Sequence, residues 1–301
     1  MNRLGTAGML AGNAIAAMTP LIFASMGGLF TELAGMLNIA LEGLILVGAF
    51  FAIVIASATQ SLFAGFIAGS LAAMILAWVY GAATIRLKAN IFVTGLAANI
   101  FASGLTVVLS NQWFGTKGVI ALKAPELTRP FVGTLGGIPF LGQALFSHNI
   151  FSYLSWICVI ATWIIIHKTP AGIRMRATGA NAEAVAASGF KPNAYRLQAI
   201  VMSGFFCGMA GASLSLPLAA YVPNMSAGRG WIALVAIYLG ARKPGRIAIA
   251  CFVFAFAESY SNYAQGLFRI PSEFMLAIPY AATLIALLAA SLAERARRVN
   301  R

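Results

Sequence analysis

Aspartate is absent from the 301 residues of this chain, and its seven acidic residues, all glutamate, face 20 lysines and arginines. Acid is scarce enough that any glutamate inside an apolar run is conspicuous. Cysteine is rarer still. Cys158, Cys207 and Cys251 all lie in apolar runs with no CxxC or ligand spacing, so they read as small packing residues and fix no redox compartment. The two histidines, His148 and His167, stand alone at the ends of apolar runs, without HExxH or a neighbouring ligand. No GxSxG occurs, which leaves hydrolytic and metal chemistry without residues to carry it. The nearest approach to a phosphate loop runs from Gly240 to Ile247. It has Arg246 where the motif needs lysine and Ile247 where it needs a magnesium-binding hydroxyl, so it is not a Walker A loop.

What the chain has in abundance is apolar length. It is 60% hydrophobic and 9% charged, with a mean hydropathy of +0.87, and its runs approach the roughly 20 residues a helix needs to cross a bilayer. This is the composition of a polytopic membrane protein. A net charge of +13 invites a nucleic-acid reading, but the basic residues sit in short loops between apolar runs and form no basic face. They mark topology instead. The windows are 8–30, 36–57, 62–83, 91–110, 150–166, 197–219, 229–241, 247–265 and 274–293, which predicts an all-α transmembrane bundle of about nine spans. Arg3 followed by apolar residues and Ala14-Ile15-Ala16 has the outline of a signal peptide, yet the run continues to Phe30 and is read as a retained first span.

Basic loops set the orientation. Arg86 and Lys88, the stretch from Lys168 to Arg196, the run Arg242 to Arg246 and the tail from Arg295 to Arg301 all belong in the cytoplasm by the positive-inside rule. Nine alternating spans satisfy each of them, with the C-terminus inside and the N-terminus outside. Window 229–241 is too short to cross about 30 Å at about 1.5 Å per residue. A re-entrant reading would put the arginine-rich tail outside, so a short or partly unwound crossing, reaching back towards Tyr221, is expected. Sliding the chain so that Arg3-Leu4 falls on Arg196-Leu197 also brings Ile39-Ala40-Leu41 onto Ile232-Ala233-Leu234, and Leu46 onto Leu239. That offset predicts two inverted four-span halves around a linking span. The single permease domain then divides into a first half (1–110), an external loop (111–149), a linking span (150–167), a cytoplasmic loop (168–196) and a second half (197–301).

Polar residues inside the spans are the chemical oddity. An ionised group at mid-helix costs roughly 3 kcal/mol on insertion scales, so Glu42 and Glu258 should face an interior rather than lipid. Asn38 lies one helical turn before Glu42, and Asn262 one turn after Glu258, so each pair shares a face. Asn99, Trp231 and Tyr238 could join the same lining. Together they suggest a polar, aromatic-flanked passage for an uncharged, hydrogen-bonding solute; the plainer alternative is interhelical hydrogen bonding that holds the bundle. Gly204, Gly208 and Ala212, like Gly65 and Gly69, fall at four-residue spacing and predict close helix approach. Pro20, Pro217 and Pro279 would kink or end spans. The stretch from Asn111 to Asn149 is too irregular to cross and suits an interfacial loop able to dock an external partner.

One stretch, Arg174 to Gly189, is built for water. Asn181 is a good N-cap, Glu183 places negative charge in the first turn, the alanine-rich run favours helix, and Gly189 suits the C-cap. A short surface helix is predicted on the cytoplasmic side.

The run Thr31-Glu32-Leu33-Ala34-Gly35-Met36-Leu37-Asn38-Ile39-Ala40-Leu41-Glu42-Gly43, the central Arg176-Ala177-Thr178-Gly179-Ala180-Asn181 with Ala186 to Gly189, and Ser203-Gly204 through Gly211-Ala212 resemble the inner-membrane permeases of ABC importers. The likeness covers almost the whole chain and is nearest to the nucleoside and simple-sugar branch of the superfamily that also holds ribose-type and branched-chain amino acid permeases. It implies a permease subunit in the plasma (inner) membrane that binds no cofactor itself. It also implies pairing with a second, homologous permease, with ATP used by a cytoplasmic ABC ATPase, and with solute delivered by an external binding protein. By the same resemblance Thr178, Gly179, Asn181, Glu183, Ala186 and Gly189 match the ATPase-coupling position. The alternative is an ion-coupled secondary transporter using Glu42 or Glu258, with a channel or structural component further off.

Overall fold

The computed structural model of the protein describes residues 3–128, 130 and 142–268. Its helices are α1 (Arg3–Leu33), α2 (Leu41–Thr59), α3 (Leu62–Ile85), α4 (Ile91–Phe114), α5 (Ile150–Lys168), α6 (Pro170–Ala180), α7 (Ala182–Ala187), α8 (Pro192–Leu218), α9 (Arg229–Leu239) and α10 (Pro244–Phe268). A π-helical turn, Gly142–Phe146, precedes α5, and two short strands, β1 (Ile120–Ala121) and β2 (Ala220–Tyr221), pair antiparallel. Local chemistry sets many helix starts. Ser61, Asn90, Asn149 and Thr169 each accept a backbone N–H of the first turn that follows, and Pro170 and Pro192 occupy the first turns of α6 and α8.

α1, α2, α3, α4, α5, α8 and α10 are long and apolar enough to cross a membrane. α9 is apolar but has 11 residues. It does not reach back towards Tyr221 as the sequence suggested: Tyr221 belongs to β2, and residues 222–228 run through turns. Asn224, Ala227 and Gly228 have φ of 55°, 45° and 80°, which a helix cannot contain. The expected ninth window, 274–293, and Pro279 lie outside the described residues. Two other expected boundaries move. α4 continues to Phe114, past the expected end of the first half, and residues 168–196 are mostly helix, with α8 already under way at Pro192.

α1 and α8 form the centre. The apolar window of α1 is 89% buried, whereas that of α4 is 17% buried and presents Phe92, Val93, Leu96, Ile100 and Val108 outward. An apolar exterior of this kind suits lipid. Lipid tails are as apolar as leucine, so close backbone packing must bring such helices together. The glycines supply it. A Cβ at Gly204 would stand 2.5 Å from that of Ala77 on α3; one at Gly208 would strike the backbone of Ser70, and one at Gly211 the carbonyl oxygen of Ile45 on α2. Gly65 and Gly69 of α3 pack equally tightly on Ala52, Ala56 and Gly48 of α2.

Around this centre the contacts pair up: α3 lies on α8 as α10 lies on α1, and α2 lies on α8 as α9 lies on α1. One end of the bundle gathers the basic loops. Gly81 near the end of α3 meets Leu197 and Ile200 of α8, Gly35 after α1 meets Gly179 of α6, and Arg242 after α9 pairs with Glu32 of α1 at 2.7 Å. At the other end, the β1–β2 pair and a hydrogen bond from Gln60 Nε2 to the Lys123 carbonyl (3.0 Å) fold the segment after α4 over the ends of α2 and α8.

Candidate functional site

Two interruptions in the apolar runs lie side by side. The first, residues 34–40 between α1 and α2, turns at Gly35, whose φ is +76°. With no helical ladder there, side chains satisfy its backbone. Asn38 Oδ1 accepts from the Ala40 N–H at 3.0 Å, while its Nδ2 donates to Ser203 Oγ on α8 at 2.9 Å. Asn99 of α4 clamps the other side. Its Oδ1 accepts from the Gly43 N–H at 2.8 Å and its Nδ2 donates to the Ile39 carbonyl at 2.9 Å, an assignment that the neighbouring donor and acceptor dictate.

The second interruption, residues 219–228, leads into α9, and Glu42 bridges the two. Its Oε1 accepts from the Gly228 N–H and its Oε2 from the Gly230 N–H, each at 2.7 Å. A carboxylate across the first amides of a helix satisfies donors that no carbonyl reaches and sits at the positive end of the helix dipole. Charge-assisted bonds of this kind contribute about 1.5–3 kcal/mol each. Arg229, between the two glycines, turns its guanidinium away: Nη2 meets Glu258 Oε1 of α10 at 2.8 Å, and Nη1 lies 3.4 Å from the carbonyls of Met225 and Ser226. Glu42 therefore has the amides of a helix start and Glu258 a guanidinium, which offsets the cost of placing them there.

Of the residues singled out from the sequence, Asn38, Glu42 and Asn99 meet at the first interruption, and Glu258 joins them through Arg229 and α9. Asn38 is buried, with 1% exposure. Trp231 and Tyr238 are exposed on one face of α9. Tyr238 stands apart from the glutamate seam, at the basic end, where its hydroxyl donates to Glu32 Oε2 at 3.0 Å beside Arg242. Asn262 lies further along α10, exposed, and lines a cavity of about 280 Å³ with Asn13, Ala17, Ser259 and Tyr263. Sequence reasoning missed Arg229. Its signal was present in part: a lone cation between two glycines at the head of the shortest apolar window.

At the basic end, α6 and α7 form a short angled pair. Asn181 Oδ1 caps α7 by accepting from the Ala184 N–H at 3.0 Å, and Gly189, at φ +83°, ends it. Val185 is its one buried residue; Glu183, Ala184, Ala186 and Ala187 point outward. Thr178 is buried with its hydroxyl on the Arg174 carbonyl. Arg174 lies 4.0 Å over the Phe190 ring and donates to the Tyr195 hydroxyl at 3.2 Å, which ties the pair to the start of α8.

A family profile described as "Branched-chain amino acid transport system / permease component" matches residues 10–287. The chain is 30% identical over 314 residues to the nucleoside ABC transporter permease of Lactococcus lactis subsp. cremoris, spanning 100% of this chain and 98% of that protein. It is 33% identical over 284 residues to the guanosine ABC transporter permease of Bacillus subtilis, spanning 89% of this chain and 87% of that one. A provisionally named glucose ABC transporter permease of Haloferax volcanii is 32% identical over 255 residues, spanning 84% of this chain and 77% of its own. No solved structure matches the chain.

Proposed function

The chain belongs to the family of branched-chain amino acid transport system permease components, and we propose on that footing that it forms the membrane passage of an ATP-binding-cassette importer for nucleosides or a related ribose-type sugar. It is a multi-pass membrane protein and a transport subunit rather than an enzyme. The observation that carries the reading is similarity along the whole chain to a permease named for nucleosides. The ion-coupled alternative loses its footing, because the relatives are ABC permeases and both span glutamates are bound to partners within the chain.

In this reading a second permease completes the passage, an ABC ATPase binds the exposed face of α7 around Glu183 and Ala186, and a binding protein delivers solute at the opposite end. The passage follows the exposed face of α9, past Glu42, Asn99, Trp231 and Glu258. Asn262 stands at one mouth and Tyr238 at the other, with Asn38 fixing the interruption behind them. Nine spans and an inverted repeat remain part of the proposal, and the paired contacts of α3 with α8 and of α10 with α1 favour it. The basic end is assigned to the cytoplasm by the positive-inside rule. In a background without the native cysteines, Val119→Cys should then label from outside and Ser188→Cys should not; the opposite pattern would remove the orientation and the α7 contact together.

Function is tested in proteoliposomes holding the permeases, the ATPase and the binding protein. ATP-dependent uptake of labelled guanosine, competed by other nucleosides or by ribose, is the expected result. Uptake that ignores ATP and follows an ion gradient would overturn the proposal.

A further inference from the structure

Gly179 at the end of α6 seats its backbone directly on the interruption between α1 and α2. A Cβ at Gly179 would strike the Leu33 carbonyl oxygen and stand 2.8 Å from the Gly35 nitrogen; a Cβ at Gly35 would stand 3.1 Å from Gly179 Cα. Gly35 also holds a positive φ of +76°, so both sides of the contact require glycine. Backbone against backbone leaves no flexible side chain to absorb a displacement. Beyond Gly35 the same short stretch makes five holds on the polar seam: Asn38 to Ser203, Ile39 and Gly43 to Asn99, and Glu42 to Gly228 and Gly230. Its far end repeats the close approach, because a Cβ at Gly230 would stand 2.5 Å from the Glu42 nitrogen.

We propose that residues 34–43 are a relay that ties the α6–α7 pair to the start of α9, with Gly179 and Glu42 as its positioning residues at either end. The inference rests on the reading that α7 contacts the ATPase, and adds the path by which that contact reaches the passage. Residues 34–40 are held by side chains from α3, α4 and α8 rather than by a helical ladder, Tyr80 of α3 donating to the Leu37 carbonyl at 3.4 Å, and Gly35 supplies a pivot at the end of α1. Such a segment moves as a unit when its contact with Gly179 is pushed. At its other end, movement of Glu42 carries the first turn of α9, and through Arg229 the ion pair with Glu258, without any contact between α7 and the seam itself.

The test uses the assembled complex and reads solute imported per ATP hydrolysed, because a folding defect lowers both rates together and leaves their ratio alone. Gly179→Ala forces α6 away from Leu33 and Gly35 while leaving the outward face of α7 intact. In complexes shown by co-purification to hold the ATPase, it should import about tenfold less per ATP. Glu42→Gln is the second variant, in case Gly179→Ala does not assemble. Its amide nitrogen would face a backbone N–H where an oxygen now accepts, which breaks one of the two bonds to α9, and the ratio should fall in the same direction. A wild-type ratio in either assembled variant would overturn the relay. A wild-type complex that imports without hydrolysing ATP would instead overturn the importer reading, and the relay with it.

Discussion

The α3–α8 contact and the Glu42–α9–Glu258 seam lie in one bundle but are held together in opposite ways. The first is made of missing side chains. Gly204 and Gly208 bring the backbones of α8 and α3 so close that no methyl group fits. The second is made of a few polar atoms: one carboxylate on two amides, one guanidinium on another carboxylate, one asparagine across a break. Close packing in lipid is unforgiving, since any displacement creates overlap or a gap. A seam of separate hydrogen bonds can exchange partners. That contrast argues that α3 and α8 are the frame and that α9, with its eleven residues and unwound approach, is the part able to move.

Three changes would break or sharpen the contrast. Gly208→Leu should have the largest effect, because overpacking a well-filled interior costs about 1–3 kcal/mol even where neighbours can yield, and here the obstacle is backbone. We expect no monodisperse protein in detergent by size-exclusion chromatography; a wild-type profile and melting temperature would show that α3 and α8 are not a rigid frame. Arg229→Ala should be milder. Breaking a fully buried pair destabilises by about 3–5 kcal/mol, but the side chains of Arg229 and Glu258 are 17% and 28% exposed, and solvent screening lowers the expectation to about 1–2 kcal/mol. The double variant Arg229→Ala/Glu258→Ala should lose less than the two single losses combined in thermal unfolding; strict additivity would mean that the pair contributes no coupling. Ala186→Trp should have the smallest effect on stability, within about 0.5 kcal/mol as for exposed sites generally. It should nevertheless abolish recovery of the ATPase, and normal recovery with normal uptake would reduce α7 to a solvated turn.

Local features of this protein were legible in the sequence and distant ones were not. Asn181 and Gly189 delimit α7 almost where capping chemistry puts them, because a cap involves only its own helix turn. The spacing of Gly204 and Gly208 announced close approach, although it could not name α3 as the neighbour. Glu42 stood out by its rarity, but its partners Gly228 and Gly230 are 186 and 188 residues away, and no periodicity reaches that far. Arg229 was overlooked for a related reason. Read alone, it is one more basic residue at a span end, and only the fold brings Glu258 to it. The β1–β2 pair was equally invisible, since two-residue strands leave no alternating pattern to detect.

The length of that reach matters for how the protein is made. Translation proceeds at about 5–20 residues per second, so the 186 residues between Glu42 and Gly228 separate their arrival at the membrane by on the order of ten to forty seconds. For that interval α1 and α2 are already synthesised while the amides that hold the carboxylate do not yet exist. Until α9 arrives, the Glu42 carboxylate must be accommodated without the two amides that later hold it. Chains stalled before residue 228 should therefore depend on an insertase or on rapid proteolysis for their fate.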